Sequence, residues 1–489
     1  MEKWSSKTGF LLAAIGSAVG IGNIWRFSAV VGKNGGGAYL IPYFLAVFAF
    51  AVPLMILEIS MGRHLKSNVV DAFGKIKTKF RILGWIVVGV VFLCLSYYLV
   101  ITGWALGYLL SALGNNWQPF SEFTSTYFPV LYFIIVACLI GYIVSYGVNK
   151  GIERITKILI PFSFVILIIL VIYVTTLSGF GEGMNFFLTP DFSVLSNPII
   201  WSAAFGQAFF SLSVGFGSLI TYGSYLDKKI SIPKSTIVIT LADLSVAMMS
   251  GIVIFSIVFT FGLTPGMGSE LAFSTLPAAF QAMAYGQILG IAFFLLFFVA
   301  AVTPSIAMME VNVAAVMGKT KWSRKKTSMV VTIAILIFGL PSALSYSGAN
   351  LSVLGLRVLD FMDDTIGSYG LPITALITAI LFTWFIKKKI LEEELGDSKL
   401  LAKIVYPVTK FLIPGVLIFT TSAKVALNYD IGATHFVPGV EFIGSISSGI
   451  GMIIIFGCLL GFAIFIFKYF NQGKIFPNIK YKEKNKGGE

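Results

Sequence analysis

Runs of about 20 or more apolar residues, the length needed to cross about 30 Å of hydrocarbon, follow one another along nearly the whole chain. Each such run can satisfy its own backbone N–H and C=O groups only by closing them within the segment, which a helix does. Apolar windows near 9–31, 38–62, 83–113, 128–147, 155–177, 199–225, 235–262, 287–317, 327–345, 354–386, 402–427 and 443–469 therefore predict twelve transmembrane helices. Only 12% of the 489 residues are charged and 57% are hydrophobic, against roughly a quarter charged in soluble domains. A water-soluble fold is excluded for most of the chain, and the expected class is an all-α polytopic membrane protein with a single domain over 1–470 and a basic, disordered cytoplasmic tail over 471–489.

The net charge of +13 does not point to nucleic acid, because the basic residues sit in short loops between apolar segments. Lys3/Lys7, Arg63 to Arg81, Lys150 to Lys157, Lys228 to Lys234, Lys319 to Lys326, Lys387 to Lys389 and the tail fall on one side. The alternate loops 114–126, 178–198 and 263–286 contain no Lys or Arg. Positive residues stay on the cytoplasmic side, so both termini are expected there, in a multi-pass protein of the cell (plasma) membrane whose surroundings are the lipid bilayer. Within the loop 263–286 the piece LAFSTLPAAF is too short to span and is expected as a surface helix over an extracellular vestibule. Cys94, Cys138 and Cys458 have neither paired spacing nor a CxxC, so neither a disulfide framework nor a metal site is suggested. The N-terminal segment lacks an A-x-A-like cleavage site and is expected as a retained first helix.

Two spans differ in kind from the rest. Gly16-Ser17-Ala18-Val19-Gly20-Ile21-Gly22-Asn23 in the first and Ser211-Leu212-Ser213-Val214-Gly215-Phe216-Gly217-Ser218 in the sixth gather glycines near mid-membrane. Glycine weakens a helix by about 1 kcal/mol relative to alanine, and a broken helix survives in a membrane only where it lines a cavity or binds something. Breaks in the first and sixth positions fit a five-helix unit used twice, about 9–177 and about 199–386, with two added helices about 402–469. Close helix packing is the competing explanation, since Gly16 and Gly20 also form a GxxxG.

The strings SAVGIGNIWRF, NGGGAYLIPY, PLMILEISMGR, GQAFFSLSVGFGSLITYGSY and FSTLPAAF together resemble the neurotransmitter:sodium symporter family, in its prokaryotic amino-acid branch, over spans one to ten. The resemblance implies a five-plus-five inverted repeat with discontinuous helices 1 and 6, sodium-coupled uptake, and two sodium sites beside a central substrate. A broken helix offers N–H groups to a carboxylate and C=O groups to a cation, which suits a zwitterionic amino acid. Carried over by motif, the carboxylate meets the N–H groups of Ile21 and Gly22 and the hydroxyl of Tyr98. The amino group meets carbonyls near Ala18, Phe210 and Ser213. Gly20 stands where the family's monoamine carriers have Asp, so an amino acid that brings its own carboxylate is expected. The side-chain pocket is expected from Cys94, Tyr98, Phe210, Ser213, Phe216, Ser305 and Met308, favouring a neutral, small-to-medium hydrophobic substrate.

For the first sodium the resemblance implies the Ala18 carbonyl, Asn23, Ser211 and Asp243, an oxygen shell suited to a hard cation. Asp243 lies deep in an apolar span, where an acid is a functional candidate by default, with a paired structural acid as the alternative. Chloride-dependent relatives carry Asn here, so chloride is expected not to be required. The second sodium site draws on Gly16, Val19, Ala300 and Thr303, but the usual second hydroxyl position is Pro304. Proline supplies no ligand and leaves the Ala300 carbonyl without its donor, so the site is expected to be weakened, unless Pro304 is only a helix kink. Arg26 and Asp363 match the family's extracellular gate, with Phe216 and Tyr98 as an aromatic lid beneath. The family's cytoplasmic latch is not legible: its positions fall at Met1 and Gly318, leaving Trp4 and, as substitutes, Lys3 or Lys7.

Four other functions compete. Proton coupling is disfavoured because the site has one buried acid, Asp243, and no His or Glu relay. A sensor is expected to carry an added signalling domain, of which the sequence has no sign, and a channel needs a continuous polar pathway. An enzyme is disfavoured because His64 and His435 are the only histidines and no nucleophile and base pair is apparent. A homodimer is left open.

Overall fold

In a computed structural model, the residues described are 2–190, 192–263, 271–320 and 322–426. The chain divides into Met1–Gly439 and Val440–Glu489, and the second unit, with the predicted twelfth span 443–469 and the tail 471–489, lies outside the described residues. Among the described residues nine helices are long and apolar enough to cross a membrane, and the bent pair Lys7–Ala18 and Gly22–Lys33 makes a tenth. The nine are Gly36–Leu65, Thr78–Leu113, Phe128–Ser145, Val148–Val174, Ile232–Thr260, Gly286–Lys319, Arg324–Ser345, Val358–Trp384 and Lys388–Ser422, each overlapping a predicted window. The predicted sixth span is present as two pieces, Pro198–Ser211 and Ser218–Ser224.

Local chemistry fixes several ends. The Ser6 hydroxyl accepts from the Gly9 N–H and the Ser323 hydroxyl from the Lys326 N–H, each satisfying a donor of a first helical turn. Pro129 and Pro233 open their helices at positions where a missing N–H costs nothing. Rows of large apolar side chains stay exposed on the fourth and fifth spans, including Ile134, Ile135 and Leu139, and Ile168, Ile169 and Ile172. Lipid is the environment in which such faces are stable.

Two boundaries and one placement depart from expectation. The tenth helix begins at Val358 rather than 354, because Ser352–Val353 and Leu356–Arg357 pair as a small antiparallel hairpin. Its turn residues Leu354 and Gly355 both have positive φ, 53° and 81°, as a tight two-residue turn requires. The eleventh helical run starts at Lys388, well before 402, since the charged helix Lys388–Leu395 leads into it across a kink at Ser398. The predicted surface helix is a plug. Leu276–Ala282, preceded by the helical turn Leu271–Thr275, buries Phe273 completely, its ring 5.7 Å from Trp104 and 6.4 Å from Trp25. An aromatic ring of that size gains more from burial than from lying on a surface.

Candidate functional site

Two helix interruptions meet in the interior. The first helix stops at Ala18, Val19 turns extended at φ −70° and ψ 110°, and helix resumes at Gly22 after a 53° bend. Asn23 reaches back across the gap, its Oδ1 accepting from the Gly20 N–H at 2.9 Å. In the second interruption Ser213, Gly215 and Gly217 have φ of 52°, 86° and 71°. A Cβ on Gly215 would stand 2.8 Å from that of Ala375, so both the conformation and the packing demand glycine there. The Ser213 hydroxyl donates to the Ser17 carbonyl at 2.6 Å, and the Ser17 and Ser218 hydroxyls lie 3.3 Å apart. These bonds join the two broken helices to each other. The GxxxG alternative holds for Gly16 only in part: it packs closely on Ile160 and Thr303, but the helix above it is interrupted all the same.

The interruptions enclose a cavity of about 30 Å³, room for about two waters. Its walls include Ala18, Gly20, Gly22, Cys94 and Tyr98 from the first and third spans, and Phe210, Ser213, Phe216 and Met308 from the sixth and eighth. The Tyr98 hydroxyl meets the backbone N–H of Ile21. Ile21 itself lines the neighbouring outer cavity. Ser305 does not join the wall. Its hydroxyl turns back to the Ala301 carbonyl at 2.9 Å, and the wall position is taken by Pro304, which shares a helix face with Met308 four residues on. The Pro304 ring would stand 2.9 Å from a Cβ at position 20, so Gly20 and Pro304 are matched in shape.

Beside this cavity the Asn23 amide nitrogen donates to Asp243 Oδ1 at 2.6 Å and to the Ser211 hydroxyl at 2.9 Å. The Ser211 hydroxyl lies 3.0 and 2.8 Å from the two carboxylate oxygens. Asn23, Ser211 and Asp243 are at most 1% exposed, so the carboxylate charge has no water to spread into. The second group also converges: Thr303 Oγ1 is 3.4 Å from the Val19 carbonyl, a Cβ on Gly16 would be 3.2 Å from that of Thr303, and the Ala300 carbonyl would be 3.7 Å from a Cβ on Gly20. Pro304 lies inside the helix Gly286–Lys319 and brings no N–H to Ala300.

Above lies an outer cavity of about 60 Å³ lined by Trp25, Arg26, Lys33, Tyr97 and Asp363 among others, with Gly22, Tyr98 and Phe210 shared between the two. The expected gate pair is not joined here. The Arg26 guanidinium sits 4.6 Å above the Phe210 ring, while Asp363 accepts from the Tyr97 hydroxyl at 2.9 Å. The ring between the cavities is Phe210 rather than Phe216, because the turn after Ser211 carries Phe216 below, its centroid 6.1 Å from that of Phe210.

Several residues escaped the sequence reading. Besides Asp243, Glu58, Glu153 and Glu310 are each at most 1% exposed. Glu58 accepts from the Gly215 N–H at 2.9 Å and so pins the interruption of the sixth span from the second. Its signal was present, an acid inside the apolar string PLMILEISMGR. Gln207 donates to the Gly22 carbonyl at 3.1 Å. At the end bearing the N-terminus, neither Lys3 nor Lys7 is seen in an ion pair among the described residues. Arg324 pairs with Glu310 and, at 3.2 Å, with Glu2, while the Tyr225 hydroxyl donates to Glu310 at 2.7 Å. Trp4 is seated there, its Nε1 donating to the Tyr222 carbonyl at 3.0 Å. Glu153 accepts from Ser5 and pairs with Lys157 at 2.7 Å.

The model of the Sodium:neurotransmitter symporter family matches residues 1–128 and 121–456. A sodium-dependent transporter of Methanocaldococcus jannaschii is 35% identical over 89% of this chain and 94% of its own length. One of Bacillus subtilis, YhdH, is 34% identical over 85% of this chain and 96% of its own. Among solved structures, that of MhsT in complex with L-phenylalanine superposes with a TM-score of 0.80 at 37% identity, covering 86% of this chain and 99% of that one. With the interrupted helices and these likenesses together, the chain belongs to the sodium:neurotransmitter symporter family, a family of membrane-embedded sodium-dependent transporters and not of enzymes.

Proposed function

We propose that this protein couples the sodium gradient to import of a neutral, small-to-medium hydrophobic α-amino acid, by alternating access about the two interrupted helices. The observation that carries this reading is the Asn23–Ser211–Asp243 cluster set against a cavity walled by the ends of both breaks. In it the substrate carboxylate takes the N–H groups of Ile21 and Gly22 and the Tyr98 hydroxyl, and the amino group takes carbonyls near Ala18, Phe210 and Ser213. The first sodium is held by Ala18, Asn23, Ser211 and Asp243, with Asn23 turning its amide oxygen inward. A weaker second sodium is held by Gly16, Val19, Ala300 and Thr303. Since about 30 Å³ is too small for an amino acid, admission needs the Phe210 and Phe216 rings to swing, and Arg26 to draw toward Asp363 once the substrate is in. That L-phenylalanine is held by MhsT supports the substrate class. The same reading assigns twelve spans with a five-plus-five inverted repeat, both termini in the cytoplasm, the plasma membrane as location, and no need for chloride.

A thermal-shift screen of the purified protein against the twenty amino acids, with and without sodium, tests this directly, because a ligand of the folded state raises its apparent stability. Stabilisation by neutral hydrophobic amino acids only when sodium is present is expected; indifference to every amino acid, or to sodium, rejects it. Proton coupling gains some ground from the buried acids Glu58 and Glu310. Uptake that persists when choline replaces sodium at fixed pH would select that reading.

A further inference from the structure

We propose that Lys33 is a positioning residue that draws the substrate inward carboxylate first, an inference that rests on the reading of the substrate as a zwitterionic amino acid. Basic residues are scarce on the side where Lys33 lies. The connecting segments 114–126, 178–198, 263–286 and 428–442 have no Lys or Arg; Lys33 and Arg357 break that pattern, with Lys424 near the end of the eleventh span. Arg357 is engaged, its guanidinium 4.3 Å from the Tyr346 ring. Lys33 is exposed, and no ion pair or ring contact of its ammonium is seen among the described residues, yet it lines the outer cavity.

The placement along the helix Gly22–Lys33 is what gives the lysine a direction. Gly22, Arg26, Val30 and Lys33 recur at near-helical spacing and all line that cavity, so one helix face runs from the mouth to the interrupted end over roughly 15 Å. Going inward, a carboxylate meets the Lys33 ammonium, then Arg26, whose Nε, like the Trp25 Nε1, is buried with no hydrogen-bond partner among the described residues, and then the N-terminal end of the helix. The acid lining the cavity, Asp363, already accepts from Tyr97. Within this lining two cations face one acid, a local positive excess set against acids such as Glu122, Glu182, Asp191 and Glu270 in the connecting segments of that side, and it attracts the carboxylate end of a zwitterion and turns its ammonium end outward. Lys33 also lies in the last turn of its helix, where a cation favours the carbonyl end of the dipole, so a purely structural role must be distinguished.

The test is initial uptake of radiolabelled L-leucine and L-phenylalanine by the full-length protein in liposomes, at fixed sodium, with ionic strength raised by choline gluconate. Lys33→Gln is expected to raise the half-saturation concentration about three- to tenfold at low ionic strength, and to flatten its dependence on salt. The maximal rate and the thermal midpoint stay unchanged, and Lys33→Arg restores the wild-type salt dependence. A helix-capping lysine would shift the midpoint and leave the salt dependence alone, which overturns the proposal. So does a Lys33→Gln protein with wild-type half-saturation at every ionic strength. Absence of sodium-dependent uptake of both amino acids by the wild-type protein would instead remove the functional reading on which the proposal stands.

Discussion

The Asn23 amide nitrogen stands 2.6 Å from an oxygen of the Asp243 carboxylate, so a buried polar contact joins the interrupted first span to the continuous seventh. If Asp243 supplies the negative charge of a sodium site, Asp243→Asn weakens sodium by about tenfold or more, since affinity for a hard cation follows the charge of its ligands. Wild-type uptake is expected to be the same in gluconate as in chloride, and the Asn variant to become chloride-sensitive. Uptake by the wild-type protein that disappears in gluconate rules the idea out.

Pro304 is adjacent to the second convergent group and matched in shape to Gly20. Pro304→Ser returns a hydroxyl to that place and keeps the side chain small, so the sodium half-saturation concentration should fall. An unchanged sodium titration would mean the proline is only an accommodated kink.

Arg324 bridges Glu310, which is fully buried, and Glu2. Removing one member of a buried pair leaves an uncompensated charge, at about 3–5 kcal/mol, whereas neutralising both is far milder. Arg324→Ala should therefore lower the unfolding midpoint markedly in detergent, and adding Glu310→Gln should recover most of the loss. Equal midpoints for the single and double variants would argue that the pair is screened by water.

Phe210 separates the two cavities and supports the Arg26 guanidinium. Phe210→Ala should speed dissociation of a bound amino acid while leaving stabilisation by sodium alone intact. Dissociation at the wild-type rate would place the barrier elsewhere.

The membrane-spanning pattern was legible because apolar length is a local property, and the two interruptions because glycine clusters are. The identity of wall residues was less so. Ser305 and Pro304 differ by one position, a rotation of about 100°, and only the Ser305 bond to Ala301 reveals which faces inward. The state of the gate was not legible for another reason: Arg26 and Asp363 are far apart in sequence, and their partners in this conformation, Phe210 and Tyr97, depend on how far the helices have closed. Arg324 could not be found from a motif whose expected positions carry Met1 and Gly318, because the acid it meets near the N-terminus is Glu2.

That contact bears on how the protein can be handled. With Glu2, Trp4 and Ser5 all seated against other spans, an affinity tag or fluorescent protein joined directly to this segment would press on a packed seam.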